Sequence, residues 1–160
     1  VAGLHVLHSV VLSELRPGET YSWRLERGVG QENTGSFRAP PAASDSFRMG
    51  WISDTMAIIN TAPITTLAGH NPELVVHGGD LVYQSHLYDT WVELSQDLIP
   101  LTSRAAFMPI VGNHEFESVT EVEEMYDRLY GEQGDSYGQR YFAFTYGCMR
   151  FIGLDSESGR

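Results

Sequence analysis

The chain has 160 residues, a length that suits one ordinary domain or a small piece joined to part of another, and 42% of them are hydrophobic, enough for a packed core. Its 21 Asp and Glu outnumber its 10 Lys and Arg, and the formal charge of -11 disfavours a polyanionic partner such as nucleic acid. No apolar run approaches the roughly 18 residues of a membrane span, and the lone cysteine, Cys148, excludes an internal disulfide.

Residues 1 to 39 read as short strands and turns. Apolar and polar side chains alternate in His5 to Leu12 and again in Tyr21 to Leu25, with Pro17 and Gly18 supplying a turn between them. Gly28 to Thr34 reads as a polar loop and Gly35 to Arg38 as a last short strand. A tyrosine entering a strand just after such a turn is similar to the tyrosine corner of β-sandwich domains; the alternative is a plain β-hairpin appendage. Ala39 to Ser46 (APPAASDS) is rich in proline and small residues, which places a linker over residues 40 to 46. Val1 lies inside an apparent strand and Arg160 closely follows another, so the reading expects both ends to be cut from a longer chain.

From residue 47 the pattern changes to strand and helix in alternation. Apolar strands at Phe47 to Ser53, Leu74 to Gly78 and Phe107 to Val111 are separated by connections long enough for crossover helices, which predicts parallel pairing and an α/β fold. The first crossover spans Thr61 to Gly69, with Pro63 in its first turn. The second is carried by Leu87, Trp91, Leu94 and Leu98 at helical spacing before Pro100. A third helix follows over Val119 to Tyr130, with Val122, Met125, Tyr126 and Leu129 on one face. Tyr141 to Tyr146 and Cys148 to Leu154 read as an antiparallel pair meeting at Gly147, and the aromatic cluster around them (Tyr137, Tyr141, Phe142, Phe144, Tyr146) as core and sheet surface.

The chemistry gathers where those strands end. Glu73 to Tyr83 (ELVVHGGDLVY) and Ala106 to Glu115 (AFMPIVGNHE) share one design, an apolar run that breaks into glycine and then metal-type side chains; Phe47 to Thr55 ends similarly on Ser53 and Asp54. Ligands of open α/β sheets bind in the crevice beyond the carboxyl ends of the strands, so Asp54, Asp80, Asn113 and His114 can converge there. Gly78 and Gly79 let the backbone turn tightly before Asp80, whose two carboxylate oxygens can bridge two cations. Tyr83 becomes a ligand only if a strongly charged ion strips its proton, which points to a trivalent metal. Oxygens of Asp, Asn and Tyr with one imidazole suit iron, manganese or zinc. Among the other histidines, His5, His8 and His70 read as surface and His77 as a satisfied core residue. His86 lies close enough to Tyr83 to contact a substrate.

In this order, the set resembles the calcineurin-like metallophosphoesterases: Asp54 after the first strand, then Gly79 and Asp80, then Gly112, Asn113, His114 and Glu115. Most of that superfamily place a histidine ligand two residues after the first Asp, where this chain has Met56. Tyr83 follows Asp80 by three instead, the mark of the purple acid phosphatases, which also carry a fibronectin type III-like module such as residues 1 to 39 resemble. The resemblance implies an incomplete α+β sandwich of the metallophosphoesterase type over residues 47 to 160, preceded by a small all-β piece. It further implies that Asp54 and Tyr83 hold Fe(III), that Asp80 bridges to a divalent ion (Fe, Zn or Mn), and that Asn113 binds that ion. His114 would act on the phosphoryl oxygens or the leaving group, with Asn113 and His86 beside the substrate. The implied reaction is hydrolysis of phosphate monoesters, on small molecules or phosphoproteins, in an extracytoplasmic or secreted setting.

Two departures qualify the resemblance. Met56 also replaces the glycine usual at that point of the purple acid phosphatases, and no histidine follows Glu115, whereas the family's later ligands include a Gly-His-x-His motif. The chain as given is therefore expected to be inactive alone. The rival readings are a phosphodiesterase of the same superfamily, against which Tyr83 argues, and a non-catalytic binding or cell-surface module whose metal-type residues stabilise loops.

Overall fold

The computed structural model describes residues 7–26, 32–55, 61–83, 87–116, 121–130 and 141–156, with the backbone alone at 32, 116 and 121–124. Strands β1 (Thr20–Glu26) and β2 (Glu32–Arg38) form an antiparallel hairpin. Strands β3 (Met49–Ile52), β4 (Leu74–His77) and β5 (Ala106–Pro109) form a parallel sheet in that spatial order, and β6 (Phe142–Tyr146) and β7 (Met149–Gly153) a second antiparallel pair. Helices α1 (Ala62–Gly69), α2 (Tyr88–Asp97), α3 (Ile99–Thr102) and α4 (Glu121–Tyr130) occupy the connections. The expected α/β architecture, with two crossovers joining parallel strands, is the one observed.

β4 lies at the centre and all four of its residues are buried, because both of its faces are covered. On one face Ile52 and Val75 pack with Ile64 of α1, Trp91 and Leu94 of α2, Leu101 of α3 and Tyr126 of α4. On the other, Leu74 and Val76 meet Tyr146 and the partly buried Phe47, Phe144 and Phe151, so the β6–β7 pair covers that side. The aromatic cluster divides between core and surface as expected, with Phe142 and Tyr146 buried, Phe144 half-buried and Tyr141 exposed; Tyr137 lies outside the described residues. Gly147 turns the β6–β7 hairpin at φ +58°, a conformation that glycine adopts without penalty.

Three differences from the sequence reading have physical reasons. Residues 7–12 form no strand: Val10 is 79% and Val11 89% exposed, and alternation without a neighbouring strand or a face to cover cannot hold a strand in water. β2 starts at Glu32, inside the stretch expected to be loop, since Asn33 and Thr34 pair with Leu25 and Arg24 through their backbones. Finally, Pro100 does not end the helical region. It sits in the first turn of α3, where its missing N–H costs no bond.

Contacts from the first hairpin reach the parallel sheet and the loop before it. The Trp23 indole N–H donates to the Ser103 carbonyl at 3.2 Å, and Arg38 pairs with Glu73 at 2.6 Å. The Tyr21 hydroxyl accepts the Arg16 N–H at 2.9 Å, a bond back to the chain five residues upstream.

Candidate metal centre

Each parallel strand delivers its chemistry through a sharp turn. After β3, Asp54 has φ +55°; after β4, Gly79 has φ +100° and Asp80 φ +56°. The left-handed region is tolerated by aspartate more readily than by most residues, and here it swings both carboxylates out of the strand direction. The two turns are tied directly: Asp54 N–H donates to the Gly79 carbonyl at 3.1 Å and Gly78 N–H to that of Ile52 at 2.8 Å. The third turn closes against the second through bare backbone. A Cβ on Gly79 would lie 2.8 Å from the Gly112 Cα, and one on Gly112 would lie 2.2 Å from Asp80 Oδ1, so neither position has room for a side chain.

The side chains converge accordingly. The Tyr83 hydroxyl donates to Asp54 Oδ1 at 3.3 Å, and its ring centroid stands 4.0 Å from that of His114. Asp80 Oδ1 accepts the His114 backbone N–H at 3.1 Å, while its other oxygen takes no bond from the described residues. Asn113 opens a short 3-10 turn over Asn113–Phe116, and its exposed side chain makes no hydrogen bond among the described residues. Asp54, Asp80, Tyr83, Asn113 and His114 are thus brought to one end of the sheet. His86 and Met56 lie outside the described residues.

Charge at this corner is one-sided. No described Lys or Arg forms an ion pair with Asp54, Asp80 or Glu115; the three ion pairs found lie elsewhere. Partial burial, then the charge and hydrogen bond of Asp54, and then Asp80 and Glu115, hold the Tyr83 phenol above its ordinary pKa. Without a cation, therefore, Tyr83 keeps its proton and gives it to Asp54 as a hydrogen bond. An added cation would reverse that balance.

Glu115 has a role that its place in the motif did not indicate. It is 1% exposed, and its carboxylate accepts four backbone N–H groups: Leu81 at 2.7 Å and Val82 at 3.2 Å on Oε1, Gly112 at 2.7 Å and Asp80 at 3.0 Å on Oε2. It therefore clamps the Asp80 turn to the Gly112 turn. Burial pushes its carboxyl above the usual range, and the Gly112, Val82 and Leu81 N–H groups pull it part of the way back. Four donors match the ionised form, since a protonated carboxyl has an O–H facing them. A polar residue three places beyond the motif's glycine was the available signal, but three of its four partners sit 33 to 35 residues upstream.

His77 is the core histidine expected, fully buried and bonded by Thr55 Oγ1 and the Gly79 N–H. His8 and His70 are exposed, as expected for surface residues, and His5 lies outside the described residues.

A family model for calcineurin-like phosphoesterases matches residues 28–158. The chain belongs to the calcineurin-like phosphoesterase family. Such phosphoesterases use dinuclear metal centres. No curated protein sequence matches the chain. Among solved structures, a purple acid phosphatase isolated from yellow lupin (Lupinus luteus) seeds matches with a TM-score of 0.70 at 20% identity, over 92% of this chain and 32% of that one. The likeness is one of fold, and this phosphoesterase chain spans about a third of the length of the lupin chain.

The residues present fit a metal by their chemistry. Hard oxygen donors on Asp54, Asp80, Tyr83 and Asn113 lie at the same end of the sheet, Tyr83 and Asp54 in direct contact, no described Arg pairs with the two carboxylates, and the space beside Asp80 is kept clear by Gly112. Among the described residues no three His, Cys, Asp or Glu side chains form a metal-type cluster by themselves. The phenol and the amide are what would complete the donor set.

Proposed function

We propose that this phosphoesterase chain contributes to the hydrolysis of phosphate monoesters at a dinuclear centre of the purple acid phosphatase type, on small molecules or phosphoproteins. Asp54 and Tyr83 would hold a ferric ion, Asp80 would bridge, and Asn113 would bind the divalent partner, Fe, Zn or Mn. When bound, the cations supply the positive charge that activates water and offsets charge on the phosphoryl oxygens. His114, its ring tilted against that of Tyr83, would donate to a phosphoryl oxygen or to the departing alkoxide, and the Asn113 amide would hold the ester beside it. Residues 1 to 39 are read as the last strands of a fibronectin type III-like module, on the strength of the Tyr21 back-bond.

The observation that carries this reading is the Tyr83 hydroxyl on Asp54 Oδ1. A phenol three residues after Asp80 reaches the carboxylate of a different strand, as two ligands of one ion must. The test is optical. Iron-loaded chain is expected to show a visible tyrosinate-to-iron band that Tyr83→Phe lacks; a wild-type sample that takes up ferric iron without the band would overturn the assignment. Because no histidine follows His114, turnover of a chromogenic monoester by these 160 residues alone is expected to be slight.

A further inference from the structure

One buried hydrogen-bond relay lies just behind the candidate metal centre and has no part in the chemistry above. His77 is the last residue of β4, 0% exposed, with its ring beside Phe107. The Gly79 N–H lies 3.2 Å from Nδ1, and Thr55 Oγ1 lies 2.8 Å from Nε2. An amide N–H can only donate, so Nδ1 is the bare nitrogen and Nε2 carries the proton. The Thr55 hydroxyl then accepts from Nε2 and directs its own proton to the Leu81 carbonyl at 3.5 Å. The relay thus runs from residue 79 to residue 81, on either side of Asp80, through the hydroxyl of the residue that follows Asp54.

We infer that His77, acting through Thr55, is a positioning residue that sets the Asp54 turn against the Asp80 turn and so fixes the spacing of the two carboxylates offered to metal. The inference rests on the proposed dinuclear reading. Two backbone bonds, from Asp54 N–H to the Gly79 carbonyl and from Gly78 N–H to the Ile52 carbonyl, join the same turns on the strand side of Asp80; the side-chain relay adds a third tie that reaches Leu81 on the far side of Asp80. An apolar residue of similar size would fill the same space, yet it would orphan the Gly79 N–H and leave the hydroxyl of Thr55, a residue 4% exposed, with the Leu81 carbonyl alone. Burial supports the neutral tautomer by holding the His77 pKa down at about 4. Groups that orient metal ligands from behind typically alter metal affinity by about 10- to 100-fold when removed.

Two measurements on the 160-residue chain test this. Nitrogen-15 NMR of the metal-free chain at neutral pH is expected to show His77 protonated at Nε2 alone; a proton on Nδ1, or averaging between the two, overturns the relay. Ferric and zinc binding is then titrated in Thr55→Val, which keeps the shape and removes the hydroxyl, in Thr55→Ala should Val fail to fold, and in Thr55→Ser, which restores the hydroxyl. Affinity is expected to fall about tenfold in Val or Ala and to recover in Ser. If the first two lose only thermal stability and bind metal as tightly as wild type, His77 is a structural core residue and the inference fails while the metal reading stands. If the wild-type chain binds neither ion, both fail.

Discussion

The corner around Asp80 and the β1–β2 hairpin both carry charged residues and aromatics, but they hold them by opposite means. In the hairpin, Arg24 and Glu26 pair at 2.9 Å with both side chains more than half exposed, and such a pair contributes little to stability. At the corner the Glu115 carboxylate is buried and spends all its acceptors on the backbone of residues 80 to 82 and 112. The difference teaches where polar residues position a site: a charge in water decorates the fold, while a charge taken out of water and saturated by N–H groups determines loop shape. The two regions should accordingly respond very differently to substitution.

The sharpest way to break that contrast is Glu115→Ala. It leaves four N–H groups facing an empty cavity, and with about 1.5 to 3 kcal/mol for each bond to a charged group, partly offset by water entry, we expect a loss on the order of 4 kcal/mol or more by urea denaturation. Arg24→Ala should change stability by less than about 0.5 kcal/mol. A Glu115→Ala protein within about 1 kcal/mol of wild type would show that the clamp is decoration too.

A smaller effect at the same corner is expected from acid. His77 takes up a proton near pH 6.5 when unfolded but, because burial disfavours its charge against the weaker attraction of Asp54, only near pH 4 when folded. Between those values the unfolded chain binds more protons, so its contribution to stability is complete above about pH 6.5 and is lost as pH falls through 4, on the order of 3 kcal/mol in all. His77→Gln cannot titrate, and its urea midpoints measured from pH 7 to pH 4 should follow a flatter curve than wild type. Curves of equal slope would mean that the buried imidazole charges as easily as a free one.

These two residues also mark how far the sequence could be read. The three strand ends, and the position of Asp54, Asp80, Tyr83, Asn113 and His114 at or just beyond them, were legible because apolar runs that break into glycine or polar residues are a local signal, and the parallel pairing of β3, β4 and β5 followed from connection lengths. Glu115 as a clamp was not, since a carboxylate and four amides meet only after two distant turns have packed through Gly79 and Gly112. His77 was recognised as core, but its partners Thr55 and Gly79 come from two turns that only the sheet brings together. In the hairpin the error ran the other way. Alternation suggested a strand over residues 7–12 that does not form, and polar Glu32 to Thr34 concealed one that does, because strand pairing there is a matter of backbone bonds.

A smaller effect than that of acid separates the two regions most cleanly. Trp23 lies with its ring over Gly35 of its own hairpin and reaches the rest of the molecule with an indole N–H bond to the Ser103 carbonyl. Trp23→Phe keeps an aromatic ring in that place and removes the bond, for a net cost of about 1 kcal/mol. Because Ser103 lies between α3 and β5, at the end of the sheet remote from Asp80 and Gly112, metal uptake should be unchanged even though the unfolding midpoint falls. A Trp23→Phe variant that binds ferric iron or zinc less tightly would show that the hairpin's seat on Ser103 reaches the metal-type turns through β5, and the two regions would then have to be treated as one.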